Sequence, residues 1–346
     1  APFNVDPAYA QPYLDKGVPK TMARFYGMIE NIDENLGRLR TVLKRRGIDR
    51  NTIVIFMTDN GTARGMARRP KEEQWTGFND GVRGRKGSEY DGGHRVPCFF
   101  HWPAGGLDRE RTADQLCAHI DLRPTLVDLC GLTPPDGPES DGTSLRPVLY
   151  GNDTALRDRT LFVHSQRIAQ PEKWRKTAVM TDRWRLVNGT ELYDVRRDPG
   201  QKQNVFEKHP DVVRHLKTAY DKWWESLKPT FDNYVRIGLG SEAENPARLM
   251  SHDWVADSIG NCPWNQRSVT AGKTVSAPWA VQILRDGRYR FDLYRWPKHL
   301  NKPMERTQAR LRIGNTETEK TISPKATHAR FELNLHPGPA MLQTWL

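Results

Sequence analysis

Two stretches of this chain hold residues whose types and spacing could do chemistry. Asp59 and Asn60 follow a nearly continuous apolar run, residues 52–58, and lead into Gly61. The edge just past the C-terminal end of a buried strand is where open α/β sheets place their ligands. A carboxylate beside a side-chain amide offers two hard oxygen donors there, suited to Ca2+ or Mg2+. The same two residues also suit a plain turn in which Asp and Asn satisfy backbone groups, and taken alone they leave both readings open. The second stretch sets Arg83, Arg85, Lys86 and Arg95 among Gly84, Gly87, Gly92 and Gly93. Glycines let backbone approach a ligand closely, and a lysine among them can act as a point charge on a tetrahedral oxyanion. The alternative is a solvated basic loop.

The elements around these residues follow from periodicity. Met22, Phe25, Ile29, Ile32, Leu36, Leu39 and Leu43 recur three and four apart, one apolar stripe on a helix over residues 19–46 that reads as core packing. Pro19 suits its first turn and Gly47 its end. The apolar run 52–58 then reads as a strand buried on both faces, as in a parallel sheet covered by helices. Residues 61–92 form a long loop, of a length that is often functional inside a compact domain. Residues 98–102 read as a short strand, and Asp121 as the cap of a helix that stops at Gly131 and Pro134.

Residues 134–158, rich in Gly, Pro, Ser and Asp, mark a seam. Beyond it, short strands are expected near residues 160–164, 177–181, 184–187 and 191–195. A helix with Val212, Leu216, Tyr220, Trp223 and Leu227 on one face closes that unit. Residues 229–275 read as a connector. Residues 279–284 and 289–296 flank Asp286-Gly287, a strong hairpin signal. The expected organisation is an α/β domain over 1–150, a small antiparallel sheet plus helix (α+β) over 151–228, and a connector with an all-β, sandwich-like module over 229–346.

Composition narrows the function classes. With 37% hydrophobic residues, 27% charged and 11 Trp, the chain is too apolar to be disordered and too polar to be a membrane protein. No run approaches the roughly 18 to 20 apolar residues of a spanning helix, and no secretory leader is read at its start. The net charge of +11 favours anionic partners. Nucleic acid is disfavoured, because the charge is scattered and no stacking motif accompanies it. Cys98, Cys117, Cys130 and Cys262 lack CxxC spacing and are too sparse for a disulfide scaffold.

Taken together and in order, Thr58-Asp-Asn-Gly61 and Gly81-Val-Arg-Gly-Arg-Lys-Gly-Ser-Glu-Tyr-Asp-Gly-Gly-His-Arg-Val-Pro97 resemble the C-terminal half of the type I sulfatase motif set, in the alkaline-phosphatase-like superfamily. Asp33-Glu-Asn-Leu-Gly37, His119-Ile-Asp-Leu-Arg-Pro-Thr-Leu126, Glu191-Leu-Tyr-Asp194 and Asp198-Pro199 continue the resemblance. The tail, with Asp286-Gly-Arg-Tyr289 and Arg295-Trp-Pro297, is similar to a β module of some arylsulfatase-like members. The resemblance implies that Asp59 and Asn60 are Ca2+ ligands, that Lys86 contacts the sulfate and that His94 lines the substrate pocket. It implies hydrolysis of a sulfated small molecule or carbohydrate, and a periplasmic or secreted protein.

Family sulfatases use a formylglycine made from Cys or Ser in a Cys/Ser-x-Pro-x-Arg motif, and neither residue type fits that motif here; Cys262-Pro-Trp-Asn is the nearest look-alike. The paired metal-binding aspartates, a second lysine and two histidines of the family also have no counterpart. The opening Ala1-Pro-Phe-Asn-Val5 resembles the stretch just after the family's Pro-His motif. The chain therefore reads as a piece cut at both ends and inactive by itself, with the nucleophile expected in a missing N-terminal part. A missing layer of the sheet should leave apolar surface exposed. Two other functions fit the same residues: a phosphodiesterase or phosphonate hydrolase of the same superfamily, and a non-catalytic glycan-binding pseudoenzyme.

Overall fold

The chain opens on two helices joined by a tight turn. A computed structural model describes residues 3–67, 75–134, 136–137, 139–152, 154–166, 168, 170–255, 262–263, 266–271 and 275–346. Parts of the long loop (68–74) and of the connector (256–261, 264–265 and 272–274) lie outside the described residues. Helix α1 (Pro7–Leu14) is capped by Asp6, whose carboxylate accepts from the Ala8 amide at 2.9 Å. Helix α2 (Lys20–Arg45) starts after Pro19, as expected. Val18, Met22 and Ala23 are buried against Tyr13, Leu14 and Tyr26.

The rest of the α2 stripe corrects the sequence reading. Ile29 and Ile32 are 50% exposed and Leu39 is 49% exposed, so the stripe is core only at its N-terminal end. The reason is coverage: α1 is its main packing partner, and a short 3-10 turn, Asp49–Asn51, meets its other end.

A second correction concerns β1 (Val54–Met57), which is half-buried along its length rather than buried on both faces. After the long loop and a single helical turn, α3 (Asp91–His94), comes its described partner, β2 (Cys98–His101). The pairing is antiparallel, with Val54 opposite His101 and Met57 opposite Cys98. A fully buried parallel strand needs neighbours on both edges and cover on both faces. Here one edge partner is described, and Phe99 on it is 64% exposed.

Helix α4 (Leu122–Leu129) begins after Asp121 as expected, but that carboxylate does not cap it. Asp121 is fully buried and accepts from Arg159 at 2.8 and 2.9 Å, from the Ala118 amide at 2.8 Å and from the Thr143 amide at 2.9 Å. The acceptor set is full, as a buried carboxylate requires. A further turn, α5 (Arg146–Leu149), follows.

The four expected strands form one antiparallel sheet in sequence order: β3 (Leu161–His164), β4 (Thr177–Met180), β5 (Trp184–Val187) and β6 (Glu191–Asp194). Helix α6 (Pro210–Leu227) buries Val213, Leu216 and Tyr220. The Trp223 ring stacks on Phe162 of β3 with centroids 4.6 Å apart. The chain divides into two compact units, residues 1–165 with 174–223 and residues 166–173 with 224–346.

In the second unit, β7 (Ile237–Leu239), β8 (Trp279–Ile283), β10 (Gln308–Ile313), β11 (Thr316–Thr321) and β13 (Gly338–Trp345) form a five-stranded sheet in the order β11-β10-β13-β8-β7. The strands β9 (Gly287–Leu293) and β12 (Ala329–Leu335) form a second sheet. Val281, Leu311 and Leu342 of the first sheet share one core with Phe331 of the second. The expected hairpin at Asp286-Gly287 is overturned, because β8 and β9 belong to different sheets. A two-residue Asp-Gly hairpin needs positive φ at both residues; Asp286 is not in that region and Gly287 has φ 151°, so the pair carries the chain from one sheet to the other. Among the described residues no helix is long and apolar enough to cross a membrane.

The uneven burial of α2 predicts uneven sensitivity. Met22→Ala should cost about 2–5 kcal/mol of unfolding free energy, whereas Ile32→Gln, at a half-exposed site, should stay within about 0.5 kcal/mol of wild type. Urea denaturation of the two variants checks this, and equal losses would show that the whole stripe is core.

Candidate active site

Two backbone hydrogen bonds join the two stretches singled out above. The Gly61 amide donates to the Gly93 carbonyl at 3.0 Å, and the Lys86 amide donates to the Thr62 carbonyl at 3.0 Å. The turn after β1 and the glycine-rich loop therefore lie edge to edge. The approach leaves no room for side chains: a Cβ on Gly61 would stand 1.9 Å from the Gly92 carbonyl oxygen, and one on Gly92 would stand 2.3 Å from the Gly84 oxygen. Glycine at these positions is required by close approach.

This zipper brings Lys86 Nζ to 3.8 Å from Asp59 Oδ2. Asp59 is 84% exposed and Lys86 43%, and a pair this open contributes little to stability. Asn60 is half-buried beside Asp59, and its carbonyl accepts from the Thr58 hydroxyl at 3.2 Å. A carboxylate, an amide and an ammonium thus share one loop edge beyond β1. These are the residue types that a hard cation and an oxyanion would each call for.

His94 stands at the end of α3, directly after Gly93. Its Nε2 lies 3.1 Å from the Glu89 carbonyl oxygen, so the ring is tied to its own loop. Burial pushes its pKa below the ordinary histidine value, against the pull of Asp91. Neutral imidazole donating to that carbonyl is the form this environment favours.

Other residues hold the loop from behind; Arg83 is among the basic residues singled out in the sequence, whereas Asp91, Arg185 and Gln201 are not read there as site residues. Asp91, nearly fully buried, accepts from Arg185 Nε on β5 at 2.9 Å. Its amide donates to Oε1 of the fully buried Gln201 at 2.9 Å. Arg83 donates to the Tyr193 hydroxyl at 2.9 Å, to the Gln201 carbonyl at 3.2 Å and to the Tyr90 hydroxyl at 3.0 Å, with its guanidinium 3.8 Å from the Tyr90 ring centre. Both tyrosine hydroxyls donate to Glu191. Burial and that carboxylate push the Tyr193 pKa up to about 12. Asp91 could have been noticed as an acid inside a glycine-rich loop; nothing in the spacing of Arg185 or Gln201 announces them.

The donors fit a hard cation in kind but are few. Ca2+ takes six to eight oxygens, and among the described residues no cluster of three or more His, Cys, Asp or Glu could hold a metal. Asp59 and Asn60 can supply only part of a coordination shell.

Comparison with known proteins bears on this arrangement. The family model described as Sulfatase matches residues 1–132, and that described as N-sulphoglucosamine sulphohydrolase, C-terminal, matches residues 85–225. The chain is 32% identical to mouse steryl-sulfatase over 262 residues, covering 66% of this chain and 40% of that protein. It is 31% identical to rat N-acetylgalactosamine-6-sulfatase over 162 residues, covering 46% of this chain and 29% of that protein. The chain therefore spans less than half the length of these relatives. The crystal structure of Ps i-CgsB shares the fold, with a TM-score of 0.54 at 23% identity over 64% of this chain and 47% of that one.

Two predictions follow from the geometry. Gly61→Ala should force the two loops apart and break the Gly61–Gly93 bond; amide exchange at Gly61 and Lys86 should rise at least tenfold, and unchanged exchange would show that the contact yields without loss. The depressed His94 pKa makes stability depend on pH. Below the unfolded value of about 6.5 the unfolded chain binds a proton that the folded chain does not, so stability falls as the pH drops through that value toward the folded pKa. His94→Gln should flatten part of this slope in denaturation at pH 7.5 and 5.5. The remainder belongs in part to His164, which burial also depresses.

Proposed function

The chain belongs to the type I sulfatase family of the alkaline phosphatase superfamily, and on that footing we propose that the full-length protein hydrolyses sulfate monoesters of a sulfated carbohydrate. The observation that carries this reading is the placement of Lys86 at 3.8 Å from Asp59 on zipped loops beyond β1. An anionic sugar suits the net charge of +11. The name of the rat relative points to a sulfated amino sugar and that of the mouse relative to a steroid, so both support the sulfuric ester class.

In this reading Asp59 and Asn60 hold Ca2+, which supplies positive charge beside the sulfate oxygens when bound. Lys86 sets its ammonium against a sulfate oxygen and stabilises the charge that shifts there as the ester bond breaks. His94, neutral and fixed to Glu89, lines the pocket as an uncharged wall rather than as a third cation. A formylglycine nucleophile has no Cys/Ser-x-Pro-x-Arg source in residues 1–346, so we assign it to another part of the protein and read this chain as inactive by itself. Export to the periplasm or beyond belongs to the same reading.

The first test is the coding sequence upstream of Ala1, where a Cys/Ser-x-Pro-x-Arg motif is expected; a continuous frame without one would end the formylglycine reading. In the full-length protein, Lys86→Ala should lower kcat on 4-nitrophenyl sulfate by about 10²–10³-fold, the scale of losing one oxyanion contact. Faster turnover of a phosphate diester or phosphonate ester than of the sulfate would move the protein to the phosphodiesterase or phosphonate hydrolase branch of the superfamily.

A further inference from the structure

We propose that the buried Asp91–Arg185 ion pair, seated on Gln201, is a positioning device that sets Lys86 against Asp59; the inference rests on the sulfatase reading for what Lys86 does, but not for where it stands. The pair spans 94 positions of sequence and joins α3, at the end of the glycine-rich loop, to β5 of the four-stranded sheet. The Arg185 side chain is 9% exposed and that of Asp91 4%. The second clamp is Arg83, bonded to Tyr193 on β6 and to the Gln201 carbonyl. Lys86 lies between these two clamps, and the same loop is zipped to Gly61 and Thr62 on its other side.

Stability alone does not account for such a pair. Taking two charges out of water costs more than their attraction commonly returns, and apolar replacements of similar volume are often neutral or stabilising. The junction carries two further local costs. Gln201 is held in the left-handed region at φ 49°, and its fully buried Nε2 has no hydrogen-bond partner among the described residues. Strained backbone and unpaired buried groups gather where geometry is being enforced. What is enforced here is the register of the loop on the sheet. Arg185 also donates to the Thr181 and Trp184 carbonyls, so its fork is fixed before it meets Asp91. A displacement of about 1 Å at a reacting group can cost 10²-fold in rate, which is the reason for a rigid mount.

The test uses the full-length protein with Arg185→Met, Arg185→Lys and the double variant Asp91→Leu with Arg185→Met. The single Met variant leaves a buried unpaired carboxylate and is expected to melt early, so the double variant carries the argument. It should keep a near wild-type Tm, lose at least tenfold in kcat on 4-nitrophenyl sulfate and change KM less than threefold; Arg185→Lys should recover part of kcat. A double variant with wild-type kcat overturns the proposal. The second readout is acylation of Lys86 by an amine-selective reagent, measured by mass spectrometry against the exposed Lys222 on α6. Its relative rate should shift at least threefold in the double variant and less in Arg185→Lys. If wild type hydrolyses no sulfate ester the sulfatase reading fails, and the acylation ratio then decides the positioning inference: an unchanged ratio rejects it.

Discussion

The arrangement of the candidate site depends on one close contact, the backbone of Gly61 against Gly92 and Gly93. Side chains on a strand and on a distant loop can meet at a fixed distance only if the backbones that carry them are themselves in register. Here the registers are set by hydrogen bonds from Gly61 to Gly93 and from Lys86 to Thr62, at a separation that a single Cβ would abolish. The 3.8 Å between Lys86 and Asp59 follows from it. The exposed ion pair is too weak to create that geometry.

Because the zipper fixes only one side of the glycine-rich loop, the other side needs its own anchor, and the four-stranded sheet provides it. Arg185 on β5 and Tyr193 and Glu191 on β6 take hold of Asp91, Arg83 and Tyr90. These are contacts between residues roughly a hundred positions apart. A small α+β sheet that looks peripheral in the sequence thus becomes part of the mount for Lys86, through the loop that carries it. The desolvated Tyr90 and Tyr193 hydroxyls, held protonated by burial and by Glu191, donate at all ordinary pH values, so this mount does not loosen through their ionisation.

Much of this was legible in the sequence, for reasons that differ from place to place. The strands of the small sheet and the face of α6 were readable because local period and burial agree: Leu216 and Tyr220 are apolar at helical spacing and lie in the core. The meeting of Asp59 with Lys86 could be expected from motif order, though no local rule gives its distance. Asp121 shows the limit of local chemistry, since an acid before a helix reads as a cap and here serves a bidentate arginine 38 positions away. Asp286-Gly287 shows another: the turn residues are right, yet β8 is a central strand with β7 and β13 on its two edges, and β9 must pair elsewhere.

Helix α2 and strand β1 fail the periodicity argument in the same way, and the cause is one cause. Periodicity tells which face of an element is apolar, not whether anything covers that face. Met22 is buried because α1 crosses it, and Ile32, on the same stripe ten residues on, is half exposed because α1 has ended. Phe99 on β2 is more exposed than either. An apolar stripe that continues past its cover says which face is fit to pack, and says nothing of what covers it. The edge of β1 that bears Asp59 and Asn60 inherits this condition, since the same half-covered strand delivers both to the site. The rigidity of the candidate site therefore comes from its loops and their anchors more than from the strand beneath it, and that is why the glycine contact and the Asp91–Arg185 pair carry so much of the geometry.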